Sequence, residues 1–143
     1  MEQQHSMAGD SKRSMALVTT AHGGAEVMKL LARAVPEPGP GQVRVAMKAA
    51  AFNHLDLWVR RGIPANHWPI PLVPCADGAG VIDAVGPGVD TTGAPHLQLG
   101  GEVALFPVVT APLEVAALRG VPHVGRTFGM LGETVDGCAR EHL

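Results

Sequence analysis

The sequence predicts a mainly β domain with short helices, and three observations lead to this fold class. The 143 residues include 18 Gly and 12 Pro, which divide the chain into many short segments. Residues 42–48 (QVRVAMK) alternate polar and apolar side chains, which is the period of a half-buried strand. Only 3% of the residues are aromatic, so the core must consist of Val, Leu, Ala and Ile.

The segments between the turns predict the order of the elements. Residues 36–41 (PEPGPG) form a rigid loop, because proline has no amide hydrogen to donate to a helix or a sheet. In the segment 76–86, the small residues, among them Gly78 and Gly80, suit a tight bend or a close approach of the backbone. Residues 27–35 form an apolar run, and residues 113–118 are compatible with a helix. The predicted strands are residues 15–21, 42–48, 76–86, 102–107 and 137–143.

Composition and charge exclude several classes of function. The formal net charge of -2 argues against a nucleic-acid partner, which would require a basic face. No apolar run approaches the roughly 20 residues that span a bilayer, so we expect no membrane partner. Residues 1–14 are polar, lack the apolar centre of a secretory signal and are predicted to form a flexible tail. Two cysteines are too few for a disulfide framework, so we expect a cytoplasmic location.

Several signals predict a short helix at residues 53–61. Asn53 is a favoured N-cap residue, and Asp56 occupies the third helical position, as in a capping box. Arg60 and Arg61 fall in the last turn, where the helix dipole favours cations, and we expect them to be solvated. Alternatively, an anionic cofactor binds one of them.

Four segments in this order resemble the N-terminal domain of the medium-chain, zinc-type alcohol dehydrogenases. They are VPEPGPGQVRVAMKAAAFNHLDLWVRRG, PCADGAGVIDAVGPGV, LGGEVALFP and GMLGETVDGCARE. The resemblance covers residues 15–143. It implies a partly open, GroES-like β-barrel, followed in that family by a Rossmann domain that binds NAD or NADP.

The resemblance departs from the family at the metal ligands. The first catalytic ligand, a Cys in the family, aligns with Asn53, and the His of its Gly-His-Glu motif aligns with Ala76. The acidic neighbour of that His corresponds to Asp77. An asparagine amide is a poor zinc ligand and alanine is none. The four cysteines of the family's structural zinc site align with Ala111, Glu114, Ala117 and Gly125.

Both zinc sites are therefore predicted to be absent. The same departure is found in zinc-independent, quinone-reductase-like members, which also have an Asn at the first ligand position.

The dinucleotide-binding half of the family is not found in these 143 residues. It requires a strand–GxGxxG–helix unit. Residues 78–80 (GAG) lack the third glycine and a following amphipathic helix. We therefore expect this chain to be the substrate-side domain of an NAD(P)-dependent oxidoreductase that acts on a small carbonyl, quinone or alcohol, and to be inactive alone. Alternatively, it is a truncated or decayed member that acts as a non-catalytic interaction module, with self-association through an open strand edge.

The resemblance assigns catalytic positions to Asn53, Asp56 and Asp77, and a position near the cofactor pyrophosphate to His54. Each residue also has a structural interpretation. Asn53 and Asp56 cap a helix, Asp77 binds its own backbone in a turn, and His54 is solvated at a helix start. For Asn53 both roles are compatible, and its functional role is to donate a hydrogen bond to a substrate carbonyl or to the nicotinamide ribose.

Overall fold

The computed structural model describes residues 12–64, 66–109 and 127–143, and the described elements are mostly strands. A single α-helix occurs among these residues, together with two 3-10 turns. The predictions for residues 113–118, and for Ala111, Glu114, Ala117 and Gly125, lie outside the described residues. Of the tail predicted at residues 1–14, residues 1–11 also lie outside them, whereas Arg13 and Ser14 belong to the first strand. In chain order the elements are β1 (Arg13–Thr19), β2 (Met28–Ala34), β3 (Val43–Ala51), α1 (His54–Arg61), β4 (Asp77–Val85), β5 (Glu102–Ala104), β6 (Val108–Val109) and β7 (Gly129–Met130).

The described strands form three antiparallel sheets, in the orders β1-β2, β3-β4-β5 and β6-β7. Strands β3 and β4 pair from Val43 opposite Val85 to Ala51 opposite Asp77, with two irregularities in register. A side chain at Gly80 would meet the backbone of β3, since an added Cβ would clash with the Ala46 carbonyl oxygen. The predicted close approach at this glycine is therefore confirmed.

Residues 137–143 connect the first two sheets. The Leu17 N–H donates to the Ala139 carbonyl at 2.8 Å, and the Val45 N–H donates to the Leu143 carbonyl at 2.7 Å. The segment makes isolated bridges instead of the regular strand predicted from its sequence, because it crosses from one sheet to the other. The described sheets do not close into a barrel, which agrees with the partly open GroES-like fold.

The core is aliphatic, as the low aromatic content predicts. Val18, Val73 and Ala16 form its central cluster, and Ile82 and Val59 are also buried. All three phenylalanines are exposed; they are Phe52, Phe106 and Phe128.

Candidate functional site

The site is built around the start of α1. Asn53 is the N-cap residue and forms a capping box with Asp56, so the predicted helix start is confirmed. Val59 is buried against the body of the domain, whereas Trp58 is 48% exposed. The buried side of the helix is thus narrow. The capping interactions therefore contribute to stabilising its first turn.

Asp56 joins the helix start to the segment before β4. One of its carboxylate oxygens accepts the Asn53 backbone N–H at 2.6 Å, and the other accepts the Cys75 backbone N–H at 2.8 Å. The residue is only 5% exposed. Because both oxygens bind backbone amides, this side chain holds two chain segments in place and does not point freely into a reaction space.

Asn53 and Asp77 meet side chain to side chain. The Asn53 Nδ2 donates to the Asp77 Oδ2 at 3.0 Å, although 24 residues separate the two along the chain. Asp77 is exposed and Asn53 is half-buried. An asparagine amide has two N–H donors, so one can be held by Asp77 while the other remains able to bind a ligand.

His54 lies at the first helical position with its side chain exposed. Its ring contacts that of Trp58 edge to face, with centroids 5.0 Å apart. The prediction that Arg60 is a solvated helix end is wrong, because its Nη1 donates to the Gly23 carbonyl at 2.8 Å. Arg61 is exposed, as expected.

Two buried thiols lie behind the site. The Cys138 N–H donates to the Cys75 carbonyl at 2.8 Å, and both residues are almost completely inaccessible. Burial, reinforced by the negative charge of Asp56, raises the pKa of the Cys75 thiol to about 12. Burial also raises the pKa of Cys138 to about 11, with Asp77 adding to the effect. Both side chains are therefore neutral at physiological pH and serve as small apolar groups.

A shallow cavity of about 260 Å³ adjoins this arrangement. Ala49, Ala50 and Ala51 of β3 line it together with Gly78 and Ala79 of β4, and Asp77 stands at its edge. The small side chains leave space above the sheet and give the cavity an apolar floor. The sequence predicted the polar residues of this region but not the cavity. The alanines of β3 come to lie beside Asp77 only through the pairing of β3 with β4, which the sequence does not reveal.

Comparison with known proteins identifies the domain. The profile of the alcohol dehydrogenase GroES-like domain matches residues 39–143, which is more than half of the chain. The chain belongs to the alcohol dehydrogenase GroES-like domain family.

Similar proteins extend the family assignment. A solved structure of an NAD-dependent alcohol dehydrogenase is 42% identical and superimposes with a TM-score of 0.80, covering 90% of this chain and 36% of that one. The alcohol dehydrogenase rspB from E. coli CFT073, solved with NADH, is 30% identical with a TM-score of 0.76, over 92% of this chain and 35% of that one. The human synaptic vesicle membrane protein VAT-1 homolog is 44% identical over 75 residues, which are 51% of this chain and 19% of that protein.

This GroES-like domain therefore spans between about a fifth and two fifths of these relatives. Within the described part of the chain, no helix is long and apolar enough to cross a membrane.

Asn53 and Ala76, which occupy the aligned ligand positions, do not fit the catalytic zinc that the family resemblance implies. Among the described residues, no group of three His, Cys, Asp or Glu side chains is arranged to hold a metal ion. Cys75 lies one position before the aligned ligand position, and its side chain is buried. Asn53 instead directs its amide to Asp77. The donors present favour hydrogen bonding over metal coordination.

Proposed function

We propose that this chain is the substrate-side domain of an NAD(P)-dependent oxidoreductase that acts on small carbonyl, quinone or alcohol substrates without zinc. The observation that carries the proposal is the 3.0 Å contact between Asn53 and Asp77 at the edge of the alanine-lined cavity. It supplies an oriented polar group beside an apolar surface, which is the arrangement typical of small-molecule sites.

Asn53 is proposed to polarise the substrate carbonyl. Asp77 holds one amide hydrogen of Asn53 and so fixes the plane of the amide, while the second hydrogen donates to the carbonyl oxygen. A fixed donor of this kind stabilises negative charge as it develops on oxygen. Asp56 acts as a positioning residue, because it ties the Asn53 backbone to Cys75, two residues before Asp77.

The bound nicotinamide supplies or accepts the hydride in such enzymes. A second domain that contains the GxGxxG unit is proposed to bind it, with His54 directed toward its pyrophosphate. Exposure of His54 at the start of a helix supports this role, since helix starts attract phosphate groups. We therefore expect residues 1–143 alone to be inactive. Because the chain has only two cysteines, we also expect the complete enzyme to work in the cytoplasm.

Joining this chain to a dinucleotide-binding domain tests the proposal. Residues 1–143 replace the corresponding domain of the 42% identical NAD-dependent alcohol dehydrogenase, and nicotinamide absorbance is followed with aldehydes, ketones, quinones and alcohols. We expect turnover by the joined protein and none by residues 1–143 alone. Turnover by the isolated chain refutes the dependence on a second domain. A well-folded joined protein that is inactive with all four substrate classes contradicts the proposed function.

A second candidate function is an interaction module that associates through an open sheet edge. Strand β5 pairs only with β4 among the described strands, and the exposed Leu99 and Phe106 flank it. An unpaired strand edge next to apolar side chains favours addition of a further strand. Light scattering distinguishes the two functions: a concentration-dependent dimer supports this module, and a monomer at all concentrations speaks against it.

A further inference from the structure

A second pocket, of about 410 Å³, lies between the Pro-rich loop, the start of β3 and the last residues of the chain. We call it the arginine pocket, because Arg44 and Arg140 both line it. None of the residues of the candidate site, Asn53, His54, Asp56 or Asp77, takes part in its lining. Its volume is within the range of pockets that bind small molecules.

Arg44 is a well-compensated charge. Its Nε donates to the Asp83 Oδ1 at 2.9 Å, and its Nη1 donates to the Pro36 carbonyl at 3.1 Å. The hydrogen bond to Asp83 raises the pKa of the Arg44 guanidinium. This side chain is thus an ordered wall of the pocket whose charge Asp83 offsets.

Arg140 is not compensated in the same way. Its side chain is only 12% exposed, and its nearest carboxylate oxygen is the Asp136 Oδ2 at 3.6 Å. Asp136 also pairs with Arg33 at 3.4 Å, so its charge is shared. The Arg140 guanidinium therefore has an ion pair with Asp136 but, among the described residues, no hydrogen bond, and burial lowers its pKa. A guanidinium with five N–H donors is costly to bury in this state.

The unpaired donors of Arg140 remain accessible. Among the described residues, the fully buried side-chain nitrogen without a hydrogen bond is the Nδ1 of His142, and no nitrogen of Arg140 belongs to this class. The Arg140 nitrogens, which also lack one, therefore retain contact with solvent. Since Arg140 lines the arginine pocket, an acceptor that enters the pocket can satisfy these donors.

We propose that the arginine pocket binds an oxyanion, either a carboxylate or a phosphate group of a small molecule, with Arg140 as its main ligand. A guanidinium presents two parallel N–H groups that match two oxygens of such a group. Arg44 contributes less to anion binding, because Asp83 and Glu37 offset its charge. Glu37 opposes binding from the rim, where its side chain is 85% exposed and pairs with Arg44 at 3.3 Å.

Titration of the full 143-residue chain with inorganic phosphate, phenyl phosphate and benzoate, at constant ionic strength, tests this proposal. Binding is measured by calorimetry and by the NMR signals of the arginine Nε–H groups. We expect saturable binding that R140M weakens by about tenfold or more. R61M is the matched control, because Arg61 is an exposed arginine outside the pocket, and its affinity should equal that of the wild type.

Three results would overturn the proposal: no saturable response to any of the anions, equal affinities of R140M and R61M, or equal shifts of all arginine signals in the wild-type chain. The last measurement remains decisive if R140M does not fold. Tighter binding of phenyl phosphate than of benzoate assigns a phosphate ligand, and the reverse order assigns a carboxylate. The experiment requires no turnover, so its result is independent of the proposed oxidoreductase function.

Discussion

The carboxylate of Asp56 bridges the backbone amides of Asn53 and Cys75, at 2.6 and 2.8 Å. This bridge fixes the start of α1 against the segment that leads into β4. It explains how two residues far apart in sequence, Asn53 and Asp77, come within hydrogen-bond distance.

Loss of the Asp56 carboxylate should destabilise the domain. D56A leaves two backbone amides without their acceptors, and we expect the free energy of unfolding in urea to fall by about 3 kcal/mol. D77A is the control, because Asp77 is exposed and its removal should change the free energy of unfolding by no more than about 0.5 kcal/mol. Equal effects of the two substitutions would contradict the role of Asp56 as a buried bridge.

The buried thiols should make stability fall at alkaline pH. The thiol pKa values of Cys75 and Cys138 are raised in the folded state to about 12 and about 11, so above pH 9 the unfolded chain loses protons that the folded chain retains. The contribution of the two protonated thiols to the free energy of unfolding is complete below the thiol pKa of the unfolded chain. It is lost as the pH rises toward the thiol pKa values of the folded chain. The expected slope is at most about 1.4 kcal/mol per pH unit for each thiol.

Urea unfolding between pH 8 and pH 10, a range chosen to span roughly the ordinary thiol pKa, measures this slope. The chain contains no tyrosine, so no phenol contributes to it. C75A/C138A is the control and should show a flatter dependence on pH. If the free energy of unfolding of this variant falls with pH as steeply as that of the wild type, groups other than the two thiols cause the loss of stability.

Arg60 and Arg61 are neighbours with different surroundings. Arg60 binds the Gly23 carbonyl at 2.8 Å, whereas Arg61 is exposed. R60A should therefore lower the free energy of unfolding by about 1 kcal/mol, and R61A should change it by less than about 0.5 kcal/mol. Thermal or urea unfolding of the two variants provides the comparison, and a larger effect of R61A would refute the assigned contact.

Local patterns predicted the elements better than their connections. Alternation in β3, the capping residues of α1 and the glycines of β4 are encoded within a few residues, and the structure contains each of these elements. The bridging path of residues 137–143 and the contact of Arg60 with Gly23 depend on tertiary packing, which short-range periodicity does not contain.

The same distinction applies to the candidate site. The resemblance pointed to Asn53, Asp56 and Asp77 as a group, and the structure brings them together. The resemblance could not separate their roles, because only the structure shows that both Asp56 oxygens accept backbone amides. The arginine pocket gave no sequence signal, since Arg44 and Arg140 lie 96 positions apart (140 − 44).

The turnover number of the joined two-domain enzyme with N53A, measured in the presence of a metal chelator, tests the central claim most directly. If Asn53 polarises the substrate carbonyl in place of a metal, the turnover number should fall by about 10²-fold, while chelation leaves the unsubstituted enzyme active. N66A is the matched control, because Asn66 is an exposed asparagine outside the site. An N53A enzyme as fast as N66A, or loss of all activity on chelation, would contradict the account.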